Sequence, residues 1–131
     1  MTVEHKIKSL PFAYNALRGI SEQVNKWHHD THYAGYVNKR NEIELELEKV
    51  DRSKANANYS IFRGLKERET FCANGQILHE IYYDILGGDG KENNSLSVVK
   101  KIEEDFGSFD KWKEDIVASA KVALGWAILV W

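Results

Sequence analysis

A run of histidines and tyrosines in the first third of the chain constrains its fold more than any other feature. His28, His32 and Tyr36 are spaced four residues apart, and residues four apart lie on the same face of a helix. The inward face of a helix normally carries aliphatic side chains. Two imidazoles and a phenol on that face therefore make a metal site the leading hypothesis.

Length, charge and cysteine content narrow the class of protein. The 131 residues are the length of one ordinary domain, large enough to bury a real core. The 18 basic and 20 acidic residues give a net charge of -2, which argues against a dedicated nucleic-acid binder. No apolar run approaches the roughly 18–20 residues that cross a bilayer, so we expect no membrane partner. Cys72 is the only cysteine and no secretory signal is visible, so we expect a reducing, cytoplasmic location.

The pattern before residue 90 predicts a long helical hairpin. Ser21 is a suitable N-cap for a first helix that continues to about Val50. A polar connection at 51–58 separates it from a second helix over about 59–86. Long helices joined by a short connection favour an antiparallel pair. The glycine-rich stretch at 87–90 then ends the hairpin.

Beyond residue 90 the sequence predicts two shorter helices, at about 95–106 and 109–124, with Ser108 capping the second. The apolar run at 125–131 is typical of a buried strand, and nothing else in the sequence predicts a strand that would pair with it. The expected fold is therefore mainly α: a long antiparallel hairpin, two shorter helices and one orphan β-strand. The expected domains are 1–88 and 89–131.

An antiparallel hairpin places the beginning of the first helix beside the end of the second, so His28 should face His79. Two neutral imidazoles facing each other suit Fe, Mn, Zn or Cu, and leave positions open for other ligands. The alternative is that these are packing or surface histidines. We expect His29 to be solvated or at an interface, and His5 to lie on a mobile arm.

Several motifs, in order along the chain, resemble those of the iron/manganese superoxide dismutases. They are Leu10-Pro11-Phe12-Ala13-Tyr14, the segment His28 to Asn38, Asn74-Gly75-Gln76-Ile77-Leu78-His79, Glu104 to Phe109, and Gly125 to Val130. The resemblance covers nearly the whole chain, and as a set the motifs are highly specific.

The resemblance implies a role for each matching residue. His28 and His79 correspond to two ligands of a single Fe or Mn ion, and His32 and Tyr36 to the pair at the substrate entrance, where superoxide would arrive. Three further positions lie near the metal in the family: Trp126, Tyr83 and Gly75. Tyr83 stands where many members have tryptophan. Gly75 matches the small residue of many Mn-type members, where many Fe-type members place glutamine.

The family's last two ligands come from an Asp-x-x-x-His motif after Gly-Trp, and this sequence does not contain that motif. We therefore expect an incomplete active site in this chain, completed in a homo-oligomer or by a complementing chain. Three interpretations of the function stay open. The chain is an incomplete dismutase, a non-enzymatic metal-binding protein built on His28 and His79, or a structural, oligomerising helical protein derived from that fold.

Overall fold

The first long helix begins where the sequence supplies its cap. The computed structural model describes residues 3–130. In it, the side chain of Ser21 accepts a hydrogen bond from the backbone N–H of Val24 at 3.2 Å, as predicted. The helix has three consecutive segments: α1 (Glu22–Lys26), a π-helical segment (Trp27–Tyr33) and α2 (Ala34–Lys49). The predicted end near Val50 is confirmed.

The second long helix, α3, covers Ile61–Asp84. Ser60 caps it by accepting a hydrogen bond from the backbone N–H of Arg63 at 3.2 Å. A single turn of 3₁₀-helix at Arg52–Lys54 forms part of the connection from α2. The long predicted helix is confirmed, and each of its ends lies two residues inside the predicted bounds.

As residue numbers rise along the first long helix, the residues that it contacts on α3 have lower numbers. His28 meets His79, and further along Arg40 donates a hydrogen bond to the side chain of Gln76 at 3.2 Å. The predicted antiparallel hairpin is therefore confirmed. Two apolar clusters hold it together, one around Tyr33, Val37 and Tyr83 and one around Ile43, Leu47 and Cys72.

The segment before the hairpin is irregular but firmly attached. Leu10 and Phe12 pack against the cluster around Tyr33. The backbone N–H of His5 donates to the side-chain oxygen of Asn41 at 2.9 Å, and the Asn41 amide donates back to the His5 carbonyl at 2.9 Å. The expectation that His5 lies on a mobile arm is therefore wrong, because these paired bonds fix its backbone.

The chain divides into two compact units, Met1–Gly88 and Asp89–Trp131. In the second unit, α4 (Ser97–Phe106) and α5 (Phe109–Val122) pack together. Gly107 ends α4 with a φ of 85°, a left-handed conformation that favours glycine. Ser108 caps α5 as predicted, by accepting a hydrogen bond from the backbone N–H of Lys111.

The predicted strand at 125–131 is not present in the part of the chain that the structure describes. Residues 125–130 have no regular structure, and Trp131 lies outside the described residues. The physical reason is that a strand requires ladder hydrogen bonds to a neighbouring strand, and no strand occurs elsewhere in residues 3–130. Ile128, Leu129 and Val130 are exposed.

None of the helices within residues 3–130 has both the length and the apolar character needed to cross a bilayer.

The attachment of His5 leads to a pH prediction. The carboxylate of Glu44 accepts a hydrogen bond from Arg40 at 2.8 Å and lies 2.9 Å from the ring of His5. Burial raises the pKa of Glu44, but the hydrogen bonds from Arg40 and His5 outweigh it and hold the pKa below its ordinary value of 4.5. A lowered folded pKa contributes stability above the unfolded pKa, and that stability is lost as the pH falls through the folded pKa.

We therefore expect Glu44→Gln to make the free energy of unfolding less dependent on pH below 4.5. Urea titrations across this range measure the effect. Glu46→Gln, an exposed position on the same helix, is the control and should keep the wild-type slope. Equal slopes for all three proteins would contradict the prediction.

Candidate metal centre

The π-helical segment carries three of the histidines of this chain. Its sequence, Trp27 to Tyr33, contains His28, His29 and His32. A π-helix is wider than an α-helix and occurs mostly as short insertions, frequently at functional sites. The local geometry therefore singles out the same segment that the sequence pattern does.

His28 and His79 point at each other across the hairpin. Their Nε2 atoms are 3.0 Å apart, and their ring centroids are 4.9 Å apart at an angle of 75°. The predicted convergence of the two rings is confirmed. Two nitrogen ligands at right angles, each about 2.1 Å from one metal, are themselves about 3.0 Å apart. The pair thus has the separation that two neighbouring ligands of a single ion require.

The hydrogen bond on the far side of His79 fixes which of its nitrogens is available. Its Nδ1 lies 2.6 Å from the backbone carbonyl oxygen of Gly75, which only accepts, so Nδ1 carries the proton and donates. The lone pair is then on Nε2, the atom facing His28. Metal-binding histidines characteristically donate their other N–H to such an acceptor.

Burial favours the neutral form of both rings. It lowers the pKa of His79, and the neighbouring His32 lowers it further, while the bond to Gly75 works in the opposite direction. Burial also lowers the pKa of His28, with smaller effects in the same direction from His79 and His32. Neutral imidazole is the form that binds metal. The 3.0 Å separation fits a hydrogen bond donated by His28, and equally a metal that replaces that proton.

His32 and Tyr36 complete the cluster. The His32 ring centroid is 5.8 Å from that of His28 and 5.2 Å from that of His79, and the Tyr36 ring lies 5.4 Å from His79. The two histidines and the tyrosine predicted to share one face do so.

Gly75 allows Tyr36 to approach α3 this closely. A Cβ added at Gly75 would lie 2.6 Å from ring carbons of Tyr36, far inside van der Waals contact. Gly75 thus contributes both the carbonyl that orients His79 and the space that the Tyr36 ring fills.

Tyr83 lies one turn beyond His79 and packs against both neighbouring histidines of the first helix. Its ring centroid is 5.5 Å from His28 and 5.7 Å from His29. The side chain is buried, and among residues 3–130 its hydroxyl has no hydrogen-bond partner. Burial raises its pKa, so the phenol stays protonated beside the pair.

His29 departs from expectation. It is buried rather than solvated, with Nδ1 2.6 Å from the Asp30 carboxylate and Nε2 2.7 Å from the backbone carbonyl of Lys8. The reason is the attached N-terminal segment, which covers this side of the helix. The spacing of residues along the helix cannot predict that the N-terminal segment packs over His29.

Trp126 belongs to the second unit, where it is 36% exposed, and its role near a metal stays a prediction. Within residues 3–130, no group of three or more histidine, cysteine, aspartate or glutamate side chains is arranged around one point. The donor set that this part of the chain brings together is therefore two neutral imidazoles, which suit a transition metal and leave its other coordination positions open.

The structure adds one residue that the sequence analysis missed. The carboxylate of Glu80, the residue that follows His79, accepts hydrogen bonds from Gln76 and Tyr33, both at 3.0 Å. Burial raises the pKa of Glu80, but hydrogen bonds from Lys8, Gln76 and Tyr33 together lower it below its ordinary value. The four-residue spacing of Gln76 and Glu80 was the only sequence signal.

Comparison with known proteins gives a consistent result. Residues 4–87 match the family model described as the alpha-hairpin domain of iron/manganese superoxide dismutases, and residues 94–131 match the model of their C-terminal domain.

Individual relatives match over most of this chain. An iron superoxide dismutase of Aquifex aeolicus is 47% identical over 116 residues, which are 86% of this chain and 54% of the relative. A manganese superoxide dismutase of Haloferax volcanii is 36% identical over 98% of this chain and 63% of its own length. An iron enzyme of Pyrobaculum aerophilum is 36% identical, with 99% and 63% covered. This chain thus spans about half to two thirds of the length of these relatives.

Proposed function

The chain belongs to the iron/manganese superoxide dismutase family, and on that premise we propose that its helical hairpin supplies two ligands, His28 and His79, of a mononuclear Fe or Mn site for superoxide dismutation. The observation that carries the proposal is the 3.0 Å separation of the two Nε2 atoms. The hydrogen bond from His79 Nδ1 to the Gly75 carbonyl supports it, because it leaves the facing nitrogen unprotonated.

In the proposed reaction, two superoxide anions and two protons give one dioxygen and one hydrogen peroxide. A bound Fe or Mn ion supplies the one-electron chemistry by alternating between the +3 and +2 states. This chain's contribution is to hold the ion between two neutral imidazoles. His32 and Tyr36 lie beside them and present a ring nitrogen and a hydroxyl that can pass protons to the reduced substrate.

The remaining ligands come, in this proposal, from outside this stretch of 131 residues, for example from a second copy or from a complementing chain. Residues 1–88 act as the ligand-bearing hairpin domain. Residues 89–131, with Trp126, form part of a second domain. A cytoplasmic location stays a prediction from the single cysteine.

A second candidate function is metal binding without catalysis, on the same histidine pair. It is favoured by the donor count, since within residues 3–130 no third metal-binding side chain joins the two histidines. Two protein ligands leave most of the coordination sphere to water, so the redox potential of the ion would be poorly controlled.

The test has two steps. Elemental analysis of chain purified without chelator should find Fe or Mn in the wild type and none in His28→Ala or His79→Ala. Superoxide consumption by the chain alone should stay close to that of free metal ion. Adding the part of the Aquifex relative beyond the matched region should then raise the rate, in a manner that depends on both histidines. If the chain contains metal but the added part of the relative does not raise the rate, the second candidate is favoured. If the chain contains no metal, both candidates are overturned.

We also predict that the chain associates in solution. Ile128 and Leu129 are about half exposed and Val130 is 81% exposed, and contiguous exposed apolar residues promote association. Light scattering coupled to size-exclusion chromatography should give a mass above the monomer's that rises with concentration. Deleting residues 126–131 should lower that mass. A monomer at all concentrations, unaffected by the deletion, would contradict this.

A further inference from the structure

The carboxylate of Glu80 joins three separate parts of the chain. It accepts a hydrogen bond from Tyr33 of the π-helical segment and one from Gln76 of α3, each at 3.0 Å. It also forms an ion pair with Lys8 of the N-terminal segment. The Glu80 side chain is only 14% exposed, so water competes little for these bonds.

Each of the groups that Glu80 holds has a second connection. The Tyr33 hydroxyl accepts the backbone N–H of Lys8 at 3.1 Å, and the Lys8 carbonyl lies 2.7 Å from His29, the neighbour of His28. The Gln76 side-chain oxygen accepts from Arg40 of α2 at 3.2 Å. One carboxylate therefore ties together the N-terminal segment, both long helices and the π-helical segment.

The position of this junction matters because of what lies next to it. Glu80 directly follows His79. Tyr33 is fully buried and is the last residue of the π-helical segment, which also contains His28. The bond between Glu80 and Tyr33 thus spans the hairpin beside the two facing imidazoles.

A π-helical turn is less favourable than an α-helical one and persists where tertiary contacts hold it. If the segment relaxed to α-helical geometry, the direction of His28 relative to His79 would change. We propose that Glu80 is a positioning residue for the histidine pair, and that its bond to Tyr33 holds the π-helical segment in the geometry that brings the two Nε2 atoms together. The inference rests on the proposed metal-binding role of that pair.

The decisive comparison is Glu80→Ala, which removes every hydrogen-bond acceptor at this position, against Glu67→Ala. Glu67 lies on the same helix, and its carboxylate is exposed and paired with Arg63 at 2.9 Å. Two readouts at the histidine pair are measured, with each variant shown to be folded by circular dichroism. The first is the nuclear Overhauser effect between the ring protons of His28 and His79 in metal-free protein. The second is the affinity for Cu²⁺, the divalent ion that nitrogen sites bind most tightly.

We expect Glu80→Ala to abolish the ring-to-ring effect and to weaken Cu²⁺ binding by about 10–100-fold, the usual cost of losing a residue that orients a ligand. Glu67→Ala should change neither. A folded Glu80→Ala protein that keeps both signals would overturn the inference, even if its overall stability falls.

Tyr33→Phe provides a second test, because it removes only the hydroxyl. It should weaken both signals, and combining it with Glu80→Ala should add little further effect. If Glu80→Ala does not fold, unchanged signals in Tyr33→Phe would overturn the inference.

The two proposals fail separately. If His79→Ala binds Cu²⁺ with the same affinity as the wild type, the proposed metal site is refuted. The metal-free ring-to-ring measurement would still decide the role of Glu80.

Discussion

His79→Ala should lower the affinity of this chain for Cu²⁺ by at least about 100-fold, since losing a group that merely orients a ligand already costs about 10–100-fold. The variant removes one of the two facing nitrogens, together with the side-chain hydrogen bond to the Gly75 carbonyl. It also leaves His28 as the sole remaining member of the pair. Two neighbouring imidazoles bind an ion jointly, so the loss of one should remove most of the binding free energy.

Isothermal titration or competition with a chelator measures this change. His5→Ala is the matched control, because His5 lies in the N-terminal segment beside Glu44 and its removal leaves the pair intact. We expect its affinity to stay within about twofold of the wild type, well below the effect of losing an orienting group. Comparable affinities for wild type and His79→Ala would refute the metal site.

Gly75→Ala should destabilise the fold and displace Tyr36. The added Cβ would lie 2.6 Å from carbons of a ring packed against α3, so the ring or the helix must move. Overpacking of this kind typically costs about 1–3 kcal/mol. Because the clash involves ring carbons rather than the hydroxyl, Tyr36→Phe should not relieve it, whereas Tyr36→Ala should.

Gly64→Ala is the control for this prediction. It lies on the same helix, and a Cβ there would have no neighbour within 4 Å. Alanine is favoured over glycine inside a helix by up to about 1 kcal/mol, so this variant should be stabilised. Urea unfolding of both variants measures the difference. Equal free energies of unfolding would show that α3 accommodates a side chain at 75 without cost.

Local sequence signals predicted much of the fold correctly. Serine caps at Ser21 and Ser108 were predicted from residue type alone, because a side-chain oxygen at a helix start satisfies a free N–H wherever the helix lies. The hairpin followed from two long helical patterns with a short connection. The strand at 125–131 was wrong for the described residues, because an apolar run has the character of a strand but becomes one only when another strand pairs with it.

The histidine pair could be predicted from helix spacing together with the predicted hairpin. Four-residue spacing places side chains on one face whatever surrounds the helix, and antiparallel packing then places His28 opposite His79. Gly75 and Tyr83 entered the prediction only through family resemblance. The structure adds the physical basis for Gly75, which is the closeness of the Tyr36 ring.

The sequence by itself determined the helices, the caps at Ser21 and Ser108 and the face on which His28, His32 and Tyr36 lie, because these depend on interactions between residues close in the chain. The antiparallel arrangement followed from the short connection between the two long helical patterns. Only the tertiary structure decided that the histidine segment is π-helical and that His29 is buried. It alone also decided that Glu80 joins Tyr33 and Lys8. Those features depend on hydrogen bonds between residues tens of positions apart, whose free energy exists only once the segments have packed together.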